Sequence, residues 1–77
     1  MAKLPQISGR DLTKALKKDG WLEVGQKGSH KKLVKYAQPI GKTTIIIPQH
    51  KTLKKATLAS ILKEASISLE KLKKLSR

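Results

Sequence analysis

The chain has 77 residues, which is enough for one small domain. Hydrophobic residues make up 38% of it and include no Phe, so the core has to be built from aliphatic side chains. A core of this size cannot also enclose a large cofactor, which excludes enzymes that depend on one. We therefore expect a single domain over residues 1–77.

Net charge is the strongest signal in the composition. Eighteen Lys and Arg against five Asp and Glu give a net charge of +13, which points to a polyanionic partner. Sixteen of the eighteen cations are Lys, which acts mainly as a point charge on phosphate, whereas Arg reads base edges. The composition therefore favours binding to a nucleic-acid backbone.

Several classes of site are excluded or disfavoured by residue usage. The absence of Cys excludes disulfides, thiolate metal sites and cysteine nucleophiles. The five acidic residues have no metal-ligand spacing, so we expect no metal and no other cofactor. There is no signal-peptide segment and no apolar run long enough to span a membrane, so we expect a soluble, cytoplasmic protein with no membrane partner.

The first predicted element is a helix over residues 9–19. Ser8 and Asp11 have the spacing of a capping box, and apolar residues follow at helical spacing. Gly20 suits the position just after a helix end.

Three strands are predicted next, over residues 21–26, 30–37 and 43–47. A turn at Lys27-Gly28 separates the first two strands, and a loop over residues 38–42 leads to the third, which is β-branched throughout and ends at Pro48. Short connections of this kind make an antiparallel meander. The second strand has two possible faces, His30, Lys32, Val34 and Tyr36 or Lys31, Leu33, Lys35 and Ala37.

The apolar period changes to that of a helix after residue 51. Thr57 is predicted to cap a helix with one apolar face, and Ser68 is predicted to cap a short basic helix at the end. That apolar face carries Leu58, Ile61, Leu62 and Ala65. The order helix, three-stranded antiparallel sheet, helix and short C-terminal helix predicts an α+β fold with one face of the sheet covered by helices.

His30 is the strongest candidate for chemistry. It follows Lys27-Gly28-Ser29, a turn whose N–H groups and cation could hold a phosphate, and it precedes Lys31 and Lys32. Imidazole transfers protons near neutral pH. RNA supplies its own nucleophile, the 2′-hydroxyl, so proton transfer and cations would suffice for cleavage without metal. The alternative interpretation is an ordinary exposed histidine on a strand.

Three segments of the sequence closely resemble HicA-type toxins. Gly28-Ser29-His30 enters a strand, residues 47–51 read I-P-Q-H-K, and residues 53–63 read L-K-K-A-T-L-A-S-I-L-K. Together with a first helix that ends at Gly20-Trp21, the resemblance covers residues 5–67. The G-S-H tripeptide is weak by itself, but its order with the two later segments is specific.

The resemblance implies a fold similar to double-stranded-RNA-binding domains and the activity of an mRNA endoribonuclease from a toxin–antitoxin system. It implies that His30 is the catalytic histidine, that Gly28 and Ser29 shape its turn, and that a HicB-type antitoxin covers the site. The residues expected to contact mRNA are Lys27, Gly28, Ser29, Lys31, Lys32 and His50. The family usually has Gly in place of Ala56, which concerns the start of the second helix and not the chemistry.

Other interpretations stay open. His50 matches a position where the family often carries His, and it could be a second acid/base, a phosphate contact or a solvated loop residue. Trp21 and Tyr36 could stack on bases, but Trp21 is predicted to lie in the core. A non-catalytic RNA-binding module of the same fold is the main alternative function. A membrane-active cationic peptide is disfavoured, because the three strands need a packed globule.

Overall fold

A computed structural model describes residues 4–36 and 41–76. The elements are α1 (Gly9–Lys18), β1 (Leu22–Lys27), β2 (His30–Tyr36), β3 (Lys42–Pro48), α2 (Lys55–Glu64) and α3 (Leu69–Leu75). The strands form one antiparallel sheet in the order β1-β2-β3. This α+β arrangement confirms the predicted order and is consistent with a fold like that of double-stranded-RNA-binding domains. Most of the predicted loop over residues 38–42 lies outside the described residues.

The helix α1 has the two ends that the sequence predicts. The Oγ atom of Ser8 accepts a hydrogen bond of 3.0 Å from the N–H of Asp11. Gly20 has a φ of +97°, and the N–H of Trp21 donates to the carbonyl of Leu16, which closes the helix through a left-handed residue. Trp21 precedes β1 and is buried, as predicted.

The core lies between one face of the sheet and the helices. Leu33 of β2 and Ile45 and Ile47 of β3 supply the sheet side of this core, and all three are buried. The helices and connecting segments contribute the remaining members, Leu12, Ala15, Leu16, Trp21, Leu53, Leu58, Ile61, Leu62, Ala65, Ile67 and Leu72. The predicted apolar face of α2 is therefore confirmed.

The opposite face of the sheet is not covered by any described helix, and we call it the open face. Because side chains alternate along a strand and Leu33 faces the helices, the other set of β2 residues faces outward. The open face carries His30, Lys32, Val34 and Tyr36 of β2, opposite Pro48, Ile46, Thr44 and Lys42 of β3. Of the two faces that the sequence left open for this strand, the core face is the one with Lys31, Leu33 and Lys35.

The start of α2 differs from the prediction. Lys54 occupies the N-cap position without a side-chain cap, and Thr57 lies within the first turn, so the predicted Thr57 cap is wrong. The chain is fixed just before the helix, because buried Leu53 donates its N–H to the carbonyl of Ile7 at 2.8 Å. This tertiary contact starts the helix at Lys55, where no local capping signal exists.

The helix α3 is held by a cap, a buried leucine and an ion pair. The Oγ atom of Ser68 accepts from the N–H of Lys71 at 3.1 Å, as predicted, and Leu72 is fully buried. The carboxylate of Asp19, just after α1, lies 2.7 Å from the Nζ atom of Lys71 and 2.9 Å from that of Lys35. Asp19 therefore ties α3 to the end of α1 and to β2. Within residues 4–36 and 41–76, no helix is long and apolar enough to cross a bilayer.

Candidate functional site

His30 is the first residue of β2 and follows a turn of two residues. Lys27 pairs with His30 at the end of the β1–β2 ladder, and Gly28 and Ser29 connect them. Gly28 has a φ of +59°, a conformation that residues with a Cβ rarely adopt. This tight turn sets His30 at the end of the central strand with its side chain on the open face.

An open cleft surrounds His30 on this face. It is lined by Gly25, Gln26, Lys27, Gly28, Ser29, His30, Lys32 and Ile46. Five of the residues predicted from the sequence to act on RNA are therefore brought together here. Lys27 and Lys32 are exposed, whereas Lys17, Lys31, Lys35 and Lys71 form ion pairs with Glu23 or Asp19. The cleft therefore combines an imidazole with two ammonium groups.

Lys31 lies on the other face of the sheet, away from this cleft. Its Nζ atom is 3.5 Å from the Oε1 atom of Glu23, which also accepts Lys17 of α1 at 3.0 Å. Hydrogen bonding and charge from Lys17, together with the charge of Lys31, outweigh desolvation and hold the pKa of Glu23 below its ordinary value. The structure thus separates Lys31 from Lys32, although the sequence grouped them.

His50 lies at the same end of the sheet as His30, although the two are far apart in sequence. Pro48 pairs with His30 at the end of the β2–β3 ladder, and the N–H of Gln49 donates to the carbonyl of Ser29 at 2.6 Å. The carbonyl of His50 accepts a hydrogen bond of 3.0 Å from the N–H of Gly9. His50 is exposed and does not line the cleft, but it lies close to the turn that forms the cleft.

Gln49 joins the site to α1, a role that the sequence did not indicate. Its Nε2 atom donates to the Oγ1 atom of Thr13 at 3.3 Å and to the carbonyl of Ile47 at 3.1 Å. Buried Thr13 in turn donates to the carbonyl of Gly9 at 2.8 Å. A Cβ atom on Gly9 would overlap the carbonyl oxygen of Pro48, so α1 begins in direct contact with the end of β3. The only sequence signal for Gln49 was its place between Pro48 and a candidate histidine.

The part of the chain that the structure describes contains no cluster of potential metal ligands. No group of three or more His, Asp or Glu side chains there is arranged to hold a metal ion.

A family model described as HicA toxin of bacterial toxin-antitoxin matches residues 9–67. The matched segment begins with the first residue of α1, ends beyond α2, and contains both histidines and the whole sheet. No curated protein and no solved structure matches the chain.

Proposed function

Because the chain belongs to the HicA toxin family of bacterial toxin–antitoxin systems, we propose that this toxin is an endoribonuclease that cleaves mRNA by proton transfer at His30. The observation that supports this most directly is the cleft on the open face. There the imidazole of His30, the cations of Lys27 and Lys32 and the Gly28–Ser29 turn line a single surface. We further propose that residues 1–77 form one such domain and act in the cytoplasm.

The proposed chemistry uses the nucleophile that RNA carries. His30 accepts the proton of a 2′-hydroxyl, whose oxygen attacks the adjacent phosphorus while the bond to the 5′-oxygen breaks. The products are a 2′,3′-cyclic phosphate and a 5′-hydroxyl, whose proton is supplied by water or by His50. Lys27 and Lys32 stabilise the negative charge that builds up on the phosphoryl oxygens. These groups suffice for a metal-independent reaction.

The remaining candidate residues have proposed roles in binding the RNA or in protonating the leaving oxygen. Gly28 and Ser29 present the backbone of the turn to a phosphate, and His50, at the same end of the sheet, either protonates the leaving oxygen or contacts a neighbouring phosphate. Lys31 faces away from the cleft, so its contribution to RNA binding is expected to be only through long-range charge.

Replacement of His30 tests the proposal. His30 is exposed, so His30→Ala is expected to leave the fold intact and to abolish cleavage, while RNA is still bound.

A matched substrate with one 2′-deoxynucleotide at the cleavage position should resist cleavage by the wild-type protein. A chelator should not stop cleavage of the normal substrate. His50→Ala serves as the comparison variant. Cleavage by His30→Ala at close to the wild-type rate would overturn the assignment.

A non-catalytic RNA-binding module is the second candidate, and the net charge of +13 on this fold favours it. The two candidates differ in one measurement. If purified wild-type protein binds RNA but forms no 2′,3′-cyclic phosphate ends, and is as toxic as His30→Ala, the module is the correct interpretation.

The family implies an antitoxin as partner, and we propose that this is a HicB-type protein that covers His30. An acidic antitoxin is the physically simplest inhibitor, because opposite charge raises its association rate with a strongly basic toxin. Lysines that hold phosphates can also hold its carboxylates. Binding of RNA and of antitoxin should then be mutually exclusive.

A further inference from the structure

Large hydrophobic side chains of the sheet strands are exposed. Among the described residues, the exposed ones are Leu22 (53%), Val24 (52%), Tyr36 (62%) and Ile46 (46%). Leu22 pairs with Val34 and Ile46 pairs with Lys32, which puts both on the open face together with Tyr36. Val24 is the extra residue where the β1–β2 register shifts between Glu23 and Gly25.

Val34 connects these side chains into one patch. It is only 2% exposed, yet it points away from the helices and lies outside the core cluster. Its paired neighbours on this face are Leu22 of β1 and Thr44 of β3. We call Leu22, Val34, Tyr36 and Ile46, together with exposed Val24 at the bulge two residues after Leu22, the apolar patch.

The fold itself does not use this patch. The core is complete on the other face, and every residue of β1 is exposed. Clustered exposed hydrophobic side chains on a small protein commonly mark a binding surface. The patch is bordered by exposed lysines, because Lys32 and Lys42 both lie on the open face.

We infer that the apolar patch is the docking surface for the antitoxin, which buries apolar side chains on it and places carboxylates against Lys32 and Lys42. This inference rests on the proposed function and specifies how the inhibitor is held. A second copy of the chain is disfavoured as occupant, since each copy carries a charge of +13. RNA is disfavoured because bases stack on aromatic rings, and only Tyr36 in the patch is aromatic.

The patch and the cleft are contiguous but separable. Ile46 belongs to both, so a protein seated on the patch reaches His30. Leu22, in contrast, pairs with Val34, four residues along β2 from His30, which corresponds to about 13 Å. Changes at Leu22 and Val24 should therefore weaken inhibition without altering RNA cleavage.

The test measures how tightly two double variants bind the protein encoded by the reading frame adjacent to that of this chain. Leu22→Ser with Val24→Ser alters the patch, and Ala59→Ser with Lys63→Arg is the charge-conserving control on the exposed side of α2, outside the groove that Ala56 forms with Ile46. Binding is measured by titration calorimetry with His30→Ala in every chain, so that the result does not depend on catalysis. We expect the patch variant to bind about tenfold more weakly or worse, and the control to stay within about twofold of the parent.

Several outcomes would overturn the inference. These are unchanged affinity of the patch variant, absence of binding by the parent chain, or a parent homodimer that the patch variant dissociates. A loss of RNA affinity in the patch variant would identify the patch as a nucleic-acid surface instead. Fluorescence of the single Trp21, which is buried, verifies that each variant is folded, and Tyr36→Ser replaces the double variant if that one unfolds.

A separate cleavage assay keeps this inference apart from the proposed function. Without the His30→Ala change, the patch variant should cleave RNA within about twofold of the wild-type rate and should resist inhibition. If no chain cleaves RNA but the patch variant still loses antitoxin binding, the endoribonuclease proposal fails and the docking surface stands.

Discussion

The backbone N–H of Gln49 donates a hydrogen bond of 2.6 Å to the carbonyl oxygen of Ser29. Ser29 is the residue directly before His30, and the side chain of Gln49 is bound to Thr13 in α1. The first helix is thereby connected, through one loop residue, to the turn that carries the candidate catalytic histidine. Gln49 and Thr13 are expected to act as positioning residues, since neither lines the cleft.

Replacement of Thr13 by Val should test this connection. Val keeps the shape but removes the hydroxyl that accepts from Gln49 and donates to Gly9, at a cost of about 1 kcal/mol in the free energy of unfolding. We expect kcat for RNA cleavage to fall several-fold with KM nearly unchanged, and Thr13→Ser to restore it. Steady-state kinetics together with urea denaturation measure both effects. Unchanged kcat in Thr13→Val would mean that the backbone bond alone holds the turn.

Charge reversal at two adjacent lysines gives a matched pair of variants. Lys32→Glu reverses a charge in the cleft and should weaken RNA binding about tenfold or more, since it adds repulsion of phosphate where a cation was. Lys31→Glu makes the same change on the core face, beside Glu23, and should affect RNA affinity far less. Both affinities are measured on an uncleavable RNA at one salt concentration. Equal losses would show that net charge, and not the open face, determines binding.

Salt dependence provides a further prediction about RNA binding. Because Lys supplies sixteen of the eighteen cations, affinity should fall steeply with salt and vary little with sequence. Each neutralised phosphate should make the negative slope of log K against log salt steeper by about 0.7 for single-stranded RNA. Fluorescence anisotropy with several unrelated RNAs measures the slope. A slope near zero, or strong base preference in binding, would contradict this prediction.

The pH dependence of stability should depend on Asp19. Burial acts to raise the pKa of this carboxyl, but hydrogen bonds and charge from Lys71 and Lys35 outweigh it and hold the pKa below its ordinary value. The stabilisation is therefore complete above the unfolded-state pKa of about 3.9 and is lost as pH falls below it through the folded-state pKa. Asp19→Asn should accordingly have a lower free energy of unfolding than wild type at pH 7. This difference in free energy should become smaller as the pH falls below the unfolded-state pKa.

Urea denaturation at pH 7 and at several values below 4, followed by Trp21 fluorescence, measures this difference. Asp11→Asn is the control, because it removes the same charge from an exposed position in α1, away from both lysines. A difference between Asp19→Asn and wild type that stays constant down to the most acid pH would refute the prediction.

Ser66 is expected to be a site where glycine stabilises the protein. It follows α2 with a φ of 56°, and the N–H of the next residue, Ile67, donates to the carbonyl of Leu62 at 3.0 Å. This is the same helix end that Gly20 makes after α1. Since a left-handed conformation is unfavourable for a residue with a Cβ, Ser66→Gly should raise the free energy of unfolding by about 1 kcal/mol. Gly20→Ala should lower the free energy of unfolding by a similar amount. Urea denaturation followed by Trp21 fluorescence compares the two variants. Stabilisation by Gly20→Ala would contradict the prediction.

The sequence predicts most of the fold because its signals are local. Ser8 and Ser68 cap the helices as expected, and the run of β-branched residues before Pro48 marks β3. The start of α2 is different, since it depends on a hydrogen bond between Leu53 and Ile7, which are far apart in sequence. A local rule that chooses Thr57 as the cap cannot include that contact.

The same difference between local signals and long-range contacts applies to the candidate site. The turn before His30 is visible in the sequence, and the structure has it where expected. Whether Lys31 or Lys32 shares a face with His30 depends on which side of β2 is buried, and the sequence pattern allows both. Gln49 could not be identified either, because its importance arises only when Ser29 and Thr13 come within reach of it.

The contacts of Gly9 also bear on when the toxin becomes harmful during its own synthesis. Gly9 donates to the carbonyl of His50 and touches Pro48, while Leu53 bonds back to Ile7, so the beginning of the described chain must meet a segment made much later. A nascent chain that has not yet released this segment from the ribosome lacks the support that holds the turn before His30. We expect ribosome-bound fragments that end before residue 53 to be harmless to RNA, and activity to arise only after the segment around residues 48–53 has left the ribosome.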